Sequence, residues 1–414
     1  MQSRLLDVLR CPFCGTRLSV VDNEALVRTG DSIEQGVLGC ECCAFPVVAG
    51  IPVLVADDTT RTAMQQLEAG QRDEALFTLL GLDAERGAAF DALLGQKGAT
   101  YRDALAILSP DAEGTYFLYR FSDPTFLVAQ ALIHAIAEHT SARARYMLDM
   151  CGGSGHLTRV LTGMGSARGT LLADVYFWKL WLAKRFTAPS CEPICCDGND
   201  PLPFAPGVCS FILLSDAFPY IWRRRLLAEE LIRAAGPEGL VLLPHLHSSL
   251  VENFAAGMPL TPASYRDLFA ALEPRLFSDR ALLTQVLEQR ALDLGADLSP
   301  AGLHDEPSLT LIATRHRELF RVHPLRAPGT MDVAGELRVN PLYRIEPRGA
   351  TSRLTLAFPT PEYEEEYGHC RRYLPDTIDV PGDATIPRVA SSFGDDYAEL
   401  RRRHVIIDVP PHYC

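Results

Sequence analysis

With 414 residues the chain has room for more than one domain, and at 47% apolar residues it can bury substantial cores, which excludes a disordered protein. A formal net charge of −13 and a pI near 5.3 speak against a broad phosphate-binding face, so nucleic acid is a disfavoured partner. The start, Met1-Gln2-Ser3-Arg4-Leu5-Leu6-Asp7, lacks the apolar core of a signal peptide, and no later run approaches a membrane-spanning length. A cytoplasmic protein without membrane association is expected.

The 12 cysteines cluster along the chain and do not form the spaced pattern of a disulfide framework. The first cluster opens with Cys11-Pro12-Phe13-Cys14 and closes with Gly39-Cys40-Glu41-Cys42-Cys43. Two C-x-x-C pairs separated by about 25 residues can each form a knuckle offering two thiolates, and together they complete a tetrahedral zinc site. Cys11, Cys14, Cys40 and Cys43 have that spacing, with Cys42 a competitor for the fourth position. A unit of roughly 55 residues has a small core, so a structural metal is physically reasonable. The C-P-x-C opening and the closing segment Phe45 to Leu54, with its Gly50-Ile51-Pro52, are similar to the zinc-ribbon activator subunits of tRNA and protein methyltransferases. A closed four-thiolate site has no open coordination position, so the Zn2+ is expected to be structural.

Asp57-Asp58-Thr59-Thr60 is a polar joint, after which Ala63 to Leu80 and Glu85 to Leu94 carry apolar residues at helical spacing. Thr115 to Phe126 is aromatic-rich, and Leu127 to Glu138 again reads as a helix.

The central stretch is Tyr146-Met147-Leu148-Asp149-Met150-Cys151-Gly152-Gly153-Ser154-Gly155-His156: an apolar strand ending in an acid, a tight small-residue turn, then a helix. Such a turn brings backbone N–H groups close to a ligand. Gly169 to Asp174 is a second strand ending in an acid about twenty residues on, where a carboxylate would meet a ribose. Pro193 to Gly198, with Asp197, repeats the pattern, and Phe211 to Asp216 and Gly239 to His245 continue the alternation around the helical segment Arg224 to Ala235. Acids at successive strand ends converge on one crevice.

Over roughly residues 141 to 250 the chain resembles the class I S-adenosylmethionine-dependent methyltransferases, on four ordered features: Asp149 with the Gly153/Gly155 loop, Asp174, Cys196-Asp197, and Leu202-Pro203-Phe204 before the Ser210-Phe211 strand. The resemblance implies that the loop from Asp149 through Cys151, Gly153 and Gly155 holds the methionine part of S-adenosyl-L-methionine, Asp174 the ribose hydroxyls, and Asp197 the adenine amine. Cys151 stands where the family usually has a glycine, and Ile212 where it usually has an Asp. A negative φ at Cys151 would be tolerated; a positive one would be strained. In such enzymes the helices before the first strand form a cap, so Tyr116, Tyr119, Arg120 and Phe121 are candidates to wall the substrate pocket, or else ordinary packing of the cap.

Methyl transfer to a hydroxyl requires removal of its proton. His245 and His247, two apart at a strand end, share one face if extended and are the candidate bases, the alternative being polar residues satisfied at that end. Asp216, in Ser215-Asp216-Ala217-Phe218-Pro219-Tyr220, is a candidate to orient the acceptor or act as base, with Tyr220 lining the site. This segment is not the Asn-Pro-Pro-Tyr type of base or glutamine methyltransferases. His156 is expected to cap or pack. Cys191, Cys195, Cys196 and Cys209 read as buried small residues ahead of a second metal site.

Later, Tyr265 to Leu272 and Arg280 to Gln289 read as helices, Ser308 to Thr314 as a last sheet strand, Pro324 to Val333 as a linker, and Glu336 to Ile345 and Ser352 to Phe358 as strands. The expected architecture is α/β: a zinc ribbon (1–57), a helical cap (58–140), a Rossmann-like methyltransferase core with helices on both faces (141–322), and an α+β extension (323–414) that covers the active site, forms a homodimer contact or receives a substrate carrier. A small-molecule methyltransferase is the leading expectation. An RNA methyltransferase and a non-catalytic partner-binding protein are the alternatives.

Overall fold

Five short strands open the chain: β1 (Ser19–Val21), β2 (Val27–Thr29), β3 (Ser32–Gly39), β4 (Ala44–Val48) and β5 (Ile51–Pro52). They form an antiparallel sheet in the order β1-β3-β4-β5, with β2 beside β3. The computed structural model describes residues 1–136, 145–166, 168–253, 257–326, 335–382 and 397–414.

Six helices follow: α1 (Asp58–Glu68), α2 (Arg72–Leu80), α3 (Ala84–Leu94), α4 (Tyr101–Leu108), α5 (Ala112–Tyr119) and α6 (Pro124–Ile136). The single helix expected over Ala63 to Leu80 is two, because the chain turns at Gly70 with φ +77°. The aromatic stretch before Phe126 is helical too, in α5 and a 3-10 turn at Arg120–Ser122. The expected helix end at Glu138 and the cap boundary at 140 lie outside the described residues.

The core sheet is built from β6 (Tyr146–Met150), β7 (Thr170–Asp174), β8 (Glu192–Cys195), β9 (Cys209–Leu213), β10 (Leu240–His247) and β11 (Arg275–Ser278). After the short β12 (Ala291–Asp293), β13 (Ser308–Ala313) completes it. The order is β11-β13-β10-β9-β6-β7-β8. β6 through β10 run parallel, and β13 is antiparallel to both neighbours. The last strand in sequence is therefore inserted beside β10, leaving β11 at the edge. Every residue of β6 to β9 is buried, as expected for strands covered on both faces.

At the opposite edge the ribbon seals β8. Val53 bridges Cys195, Leu54 N–H donates to the Cys195 carbonyl at 2.7 Å, and Leu9 bridges Phe204. This contact removes an open row of strand N–H and C=O groups. It also lets the ribbon's Leu5, Leu9, Ile33 and Phe45 share an apolar core with Leu148, Ile194 and Phe204.

On the other face the cap and the carboxyl-terminal extension share a second core. β12 pairs with β14 (Val322–Pro324), so the expected linker begins in a strand, and its residues 327–333 lie outside the described residues. β15 (Glu336–Val339) pairs with the final β19 (Ile406–Val409), while β16 (Tyr343–Arg348), β17 (Thr351–Leu356) and β18 (Thr377–Pro381) form a small antiparallel sheet.

The chain then returns to the cap. Tyr413 stacks on Tyr101 with ring centroids 4.7 Å apart, donates to the Phe117 carbonyl at 3.0 Å, and lies 2.8 Å from His156 Nε2. Tyr413→Phe is expected to cost about 1–3 kcal/mol, because a buried carbonyl and an imidazole lose their partner. Thermal unfolding measures it; an unchanged midpoint would mean the carboxyl terminus does not hold the cap. Among the described residues no helix is long and apolar enough to cross a membrane.

Candidate functional site

The loop after β6 wraps tightly around a carboxylate. A Cβ on Gly152 would stand 2.5 Å from Asp149 Cγ, and Gly153 and Gly155 adopt φ +56° and +83° before the helix His156–Met164 (α7). Asp149 is 1% exposed; its Oδ2 accepts from the Thr158 hydroxyl at 2.6 Å, while Oδ1 is buried with no hydrogen-bond partner among the described residues. Burial pushes this carboxyl up to about 7, with the Thr158 hydroxyl pulling the other way. An orphaned buried carboxylate oxygen is costly unless a cationic or N–H donor completes it.

Asp174 closes the other side of the loop. Its Oδ2 accepts from Gly153 N–H at 3.0 Å and its Oδ1 from Tyr176 N–H at 2.9 Å, which fixes the carboxylate against the turn with lone pairs still available. Burial raises its pKa, and the nearby Lys179 ammonium counteracts this. Asp197 follows the adjacent strand, but its Oδ1 accepts from the backbone N–H and side-chain amide of Asn199 at 2.8 and 2.9 Å. Asp149 and Asp174 thus flank Gly153, whereas the Asp197 carboxylate engages its own turn.

Cys151 has φ +55°, the conformation that disfavours a side chain, and its partly buried thiol lies beside Gly198. Phe117, which the sequence did not single out, covers the loop: a Cβ on Gly153 would stand 2.7 Å from its ring. His156 is a buried packing residue, stacked on Phe117 with centroids 6.1 Å apart, and burial lowers its pKa well below the usual range.

A second constellation sits at the ends of β9 and β10. Asp216 Oδ1 lies 3.3 Å from His247 Nε2 and 4.0 Å from His245 Nε2. A one-residue bulge between Leu243 and Leu246 re-aims the end of β10, and His245 and Asp216 take φ +59° and +61°. Backbone strain of this kind concentrates at functional sites. His245 Nδ1 is 3.2 Å from Asp279 Oδ2, and Asp279 Oδ1 accepts from the Thr310 hydroxyl at 2.7 Å. Burial would lower the His245 pKa, but the Asp216 and Asp279 carboxylates outweigh it and raise it to about 9. For Asp216 burial is likewise overcome, by the two histidines and Arg120, and its pKa falls.

The cap reaches this constellation. Tyr116 donates its hydroxyl to Asp216 Oδ2 at 3.2 Å. Arg120 is buried in an ion pair with Asp123 at 2.7 Å, reaches the Ser215 hydroxyl at 3.4 Å, and lies 5.3 Å from the Tyr116 ring centre. Tyr119 instead packs on Tyr363 of the extension at 5.6 Å, and Tyr220 stands 53% exposed at the surface. From the extension, Glu366 comes close enough to feel the charges of Asp216, His245 and His247, while burial pushes its carboxyl up. Cys191, Cys195, Cys196 and Cys209 are buried among apolar side chains.

In the ribbon, the sulfurs of Cys11, Cys14, Cys40 and Cys42 all lie within 4.8 Å of one another. No family model matches the chain. A UPF0434 protein of Mannheimia succiniciproducens is 38% identical over 64 residues, which span 15% of this chain and 88% of that protein. Over that stretch the chain belongs to the UPF0434 family. The match and the cysteine cluster fit an amino-terminal zinc ribbon. Among solved structures the chain is similar to an S-adenosylmethionine-dependent methyltransferase from Aquifex aeolicus, 14% identical over 48% of this chain and 96% of that one, with a TM-score of 0.33. It is also similar to a TehB-like S-adenosylmethionine-dependent methyltransferase from Corynebacterium glutamicum, 16% identical over 45% of this chain and 86% of that one, with a TM-score of 0.31.

The sulfur cluster contains Cys42, the competitor for the fourth position, where Cys43 was expected; Cys43 Sγ lies 3.3 Å from Cys42 Sγ. The N–H groups of Cys42 and Cys43 both point at Cys40 Sγ, at 3.4 and 3.2 Å, and Cys40 N–H donates to the Cys43 carbonyl at 2.9 Å. In that knuckle Cys40 and Cys43 both pack against the apolar core, and Cys42 Sγ stands 3.8 Å from both Cys11 Sγ and Cys40 Sγ. Four gathered sulfurs with N–H donors aimed at them are a donor set that fits Zn2+.

Proposed function

We propose that the protein transfers a methyl group from S-adenosylmethionine to a hydroxyl-bearing small molecule, with the cofactor beside Gly153 and the acceptor at Asp216, His245 and His247. The observation that carries this reading is the buried, partnerless Oδ1 of Asp149 beside the glycine turn, next to an Asp174 carboxylate fixed by Gly153 N–H. An ammonium or hydroxyl donor satisfies both features. When bound, the sulfonium supplies an electrophilic methyl group for in-line displacement. Asp149 holds the cofactor's amino end, and Asp174 accepts from the ribose. The Asp216 and His247 pair receives the acceptor's proton, Tyr116 steadies Asp216, and Glu366 with the extension excludes water from that side.

A pH dependence follows. Asp149 must be ionised to hold an ammonium, and its carboxyl is raised to about 7, so affinity for S-adenosylmethionine falls as pH drops below that value. Between pH 6 and 7.5 the dissociation constant is expected to decrease by up to about eightfold, a range in which the ligand's own amine stays mostly charged. Titration calorimetry reads this directly. Asp149→Asn should flatten the profile, and an unaltered slope in that variant would place the titrating group elsewhere.

A second reading, a methyltransferase-like protein that acts by binding a partner, is favoured by the Phe117 ring seated on Gly153. The absence of any calorimetric signal with S-adenosylmethionine, in both the native chain and Phe117→Ala, would select it.

A further inference from the structure

We infer that Asp216, His245 and His247 hold a divalent first-row transition metal ion in an open site, distinct from the closed thiolate site of the ribbon. The inference deepens the proposed function by assigning the acceptor an oxygen ligand to that ion, and only this last step rests on the methyltransferase reading.

Asp216, His245 and His247 each offer one ligand atom, and the three atoms lie within 4.8 Å of one another; Asp216 Oδ1 faces the Nε2 atoms of both histidines. A metal with bonds of ~2.1 Å sets adjacent donors about 3.0–3.4 Å apart. The separations of 3.3 and 4.0 Å from Asp216 Oδ1 need only a small contraction to reach that. Each of two ligands is already oriented from behind. Asp279 Oδ2 faces His245 Nδ1, leaving Nε2 for the ion, and Asp279 is itself held by the Thr310 hydroxyl. Tyr116 occupies Asp216 Oδ2, leaving Oδ1. A carboxylate behind the histidine and a hydroxyl behind the carboxylate are the outer-shell contacts that fix metal ligands.

Two imidazoles and one carboxylate leave coordination positions free, as catalytic sites do and four-thiolate sites do not. The donor set suits Zn2+, Fe2+ or Co2+ better than Ca2+, which takes an all-oxygen shell. The backbone has positive φ at both Asp216 and His245, strain of the kind that concentrates at functional sites. An ion held here would take over deprotonation from Asp216 and His247: it would bind the acceptor's hydroxyl oxygen and acidify it, so that the proton leaves to solvent and the oxygen stays on the ion as an alkoxide or phenolate.

The test uses the full chain with its ribbon saturated by zinc, titrated with Co2+. The expected result is one further equivalent by elemental analysis, with visible d–d absorption and no thiolate charge-transfer band. His247→Ala and Asp216→Asn should abolish it. Asp279→Asn should weaken it about 10- to 100-fold while keeping the stoichiometry. Circular dichroism of each variant separates loss of the site from loss of fold. Absence of a second equivalent in the native chain, or a second equivalent that survives His247→Ala, would overturn the assignment. S-adenosylmethionine titrated into the same samples keeps the two readings apart: Co2+ bound without cofactor binding sinks the methyltransferase, and cofactor binding without Co2+ sinks the metal site.

Discussion

Asp174→Ala should weaken S-adenosylmethionine binding by between about tenfold and a hundredfold, since a hydrogen bond to a charged group contributes about 1.5–3 kcal/mol. The carboxylate has two tasks. It accepts from Gly153 N–H and Tyr176 N–H, so its loss leaves the turn without its anchor, and it removes the acceptor proposed for the ribose. Asp174→Asn divides them, because the amide keeps one acceptor oxygen for the backbone. Calorimetry should show a smaller loss in Asn than in Ala, and the thermal midpoint of Asn should lie closer to that of the native protein. Equal affinity in native and Ala proteins would remove Asp174 from the cofactor site.

Removal of zinc from the ribbon is expected to have the largest effect on stability. Structural zinc contributes about 10–16 kcal/mol in isolated finger peptides. Here the ribbon also covers the β8 edge through the Val53 and Leu54 contacts with Cys195. Chelation should therefore lower the unfolding midpoint by about 10 °C or more and promote aggregation through the uncovered strand. Cys42→Ser should behave like Cys11→Ser, and Cys43→Ser should be milder, because Cys43 Sγ lies outside the ligand cluster. Calorimetric scans of chelated and zinc-loaded protein measure this. An identical midpoint after zinc loss is confirmed by elemental analysis would contradict a structural role.

The strand-ending acids were legible because a buried parallel strand is an unbroken apolar run, and an acid at its end stands out. The helix Arg224–Ala235 likewise falls where the sequence places it. Contacts between distant segments left no such mark. Asp279 orients His245 from 34 positions away, and Tyr413 meets His156 across 257. Phe117 reads as one aromatic among several until the cap is seen to close on Gly153. Whether Cys42 or Cys43 joins the cluster depends on how the tight knuckle around Cys40 Sγ aims the two neighbouring side chains, which C-x-x-C spacing does not encode. The bulge at His245 is similar: two residues apart on a strand implies a shared face, but the register shift decides where that face points.

A structure of the protein with S-adenosylhomocysteine bound tests the central claim most directly. The ligand's amino group is expected within hydrogen-bond reach of Asp149 Oδ1, its ribose hydroxyls on Asp174, and its sulfur facing Asp216 and His247. A ligand bound away from the turn, or none bound and Phe117 still seated on Gly153, would contradict it.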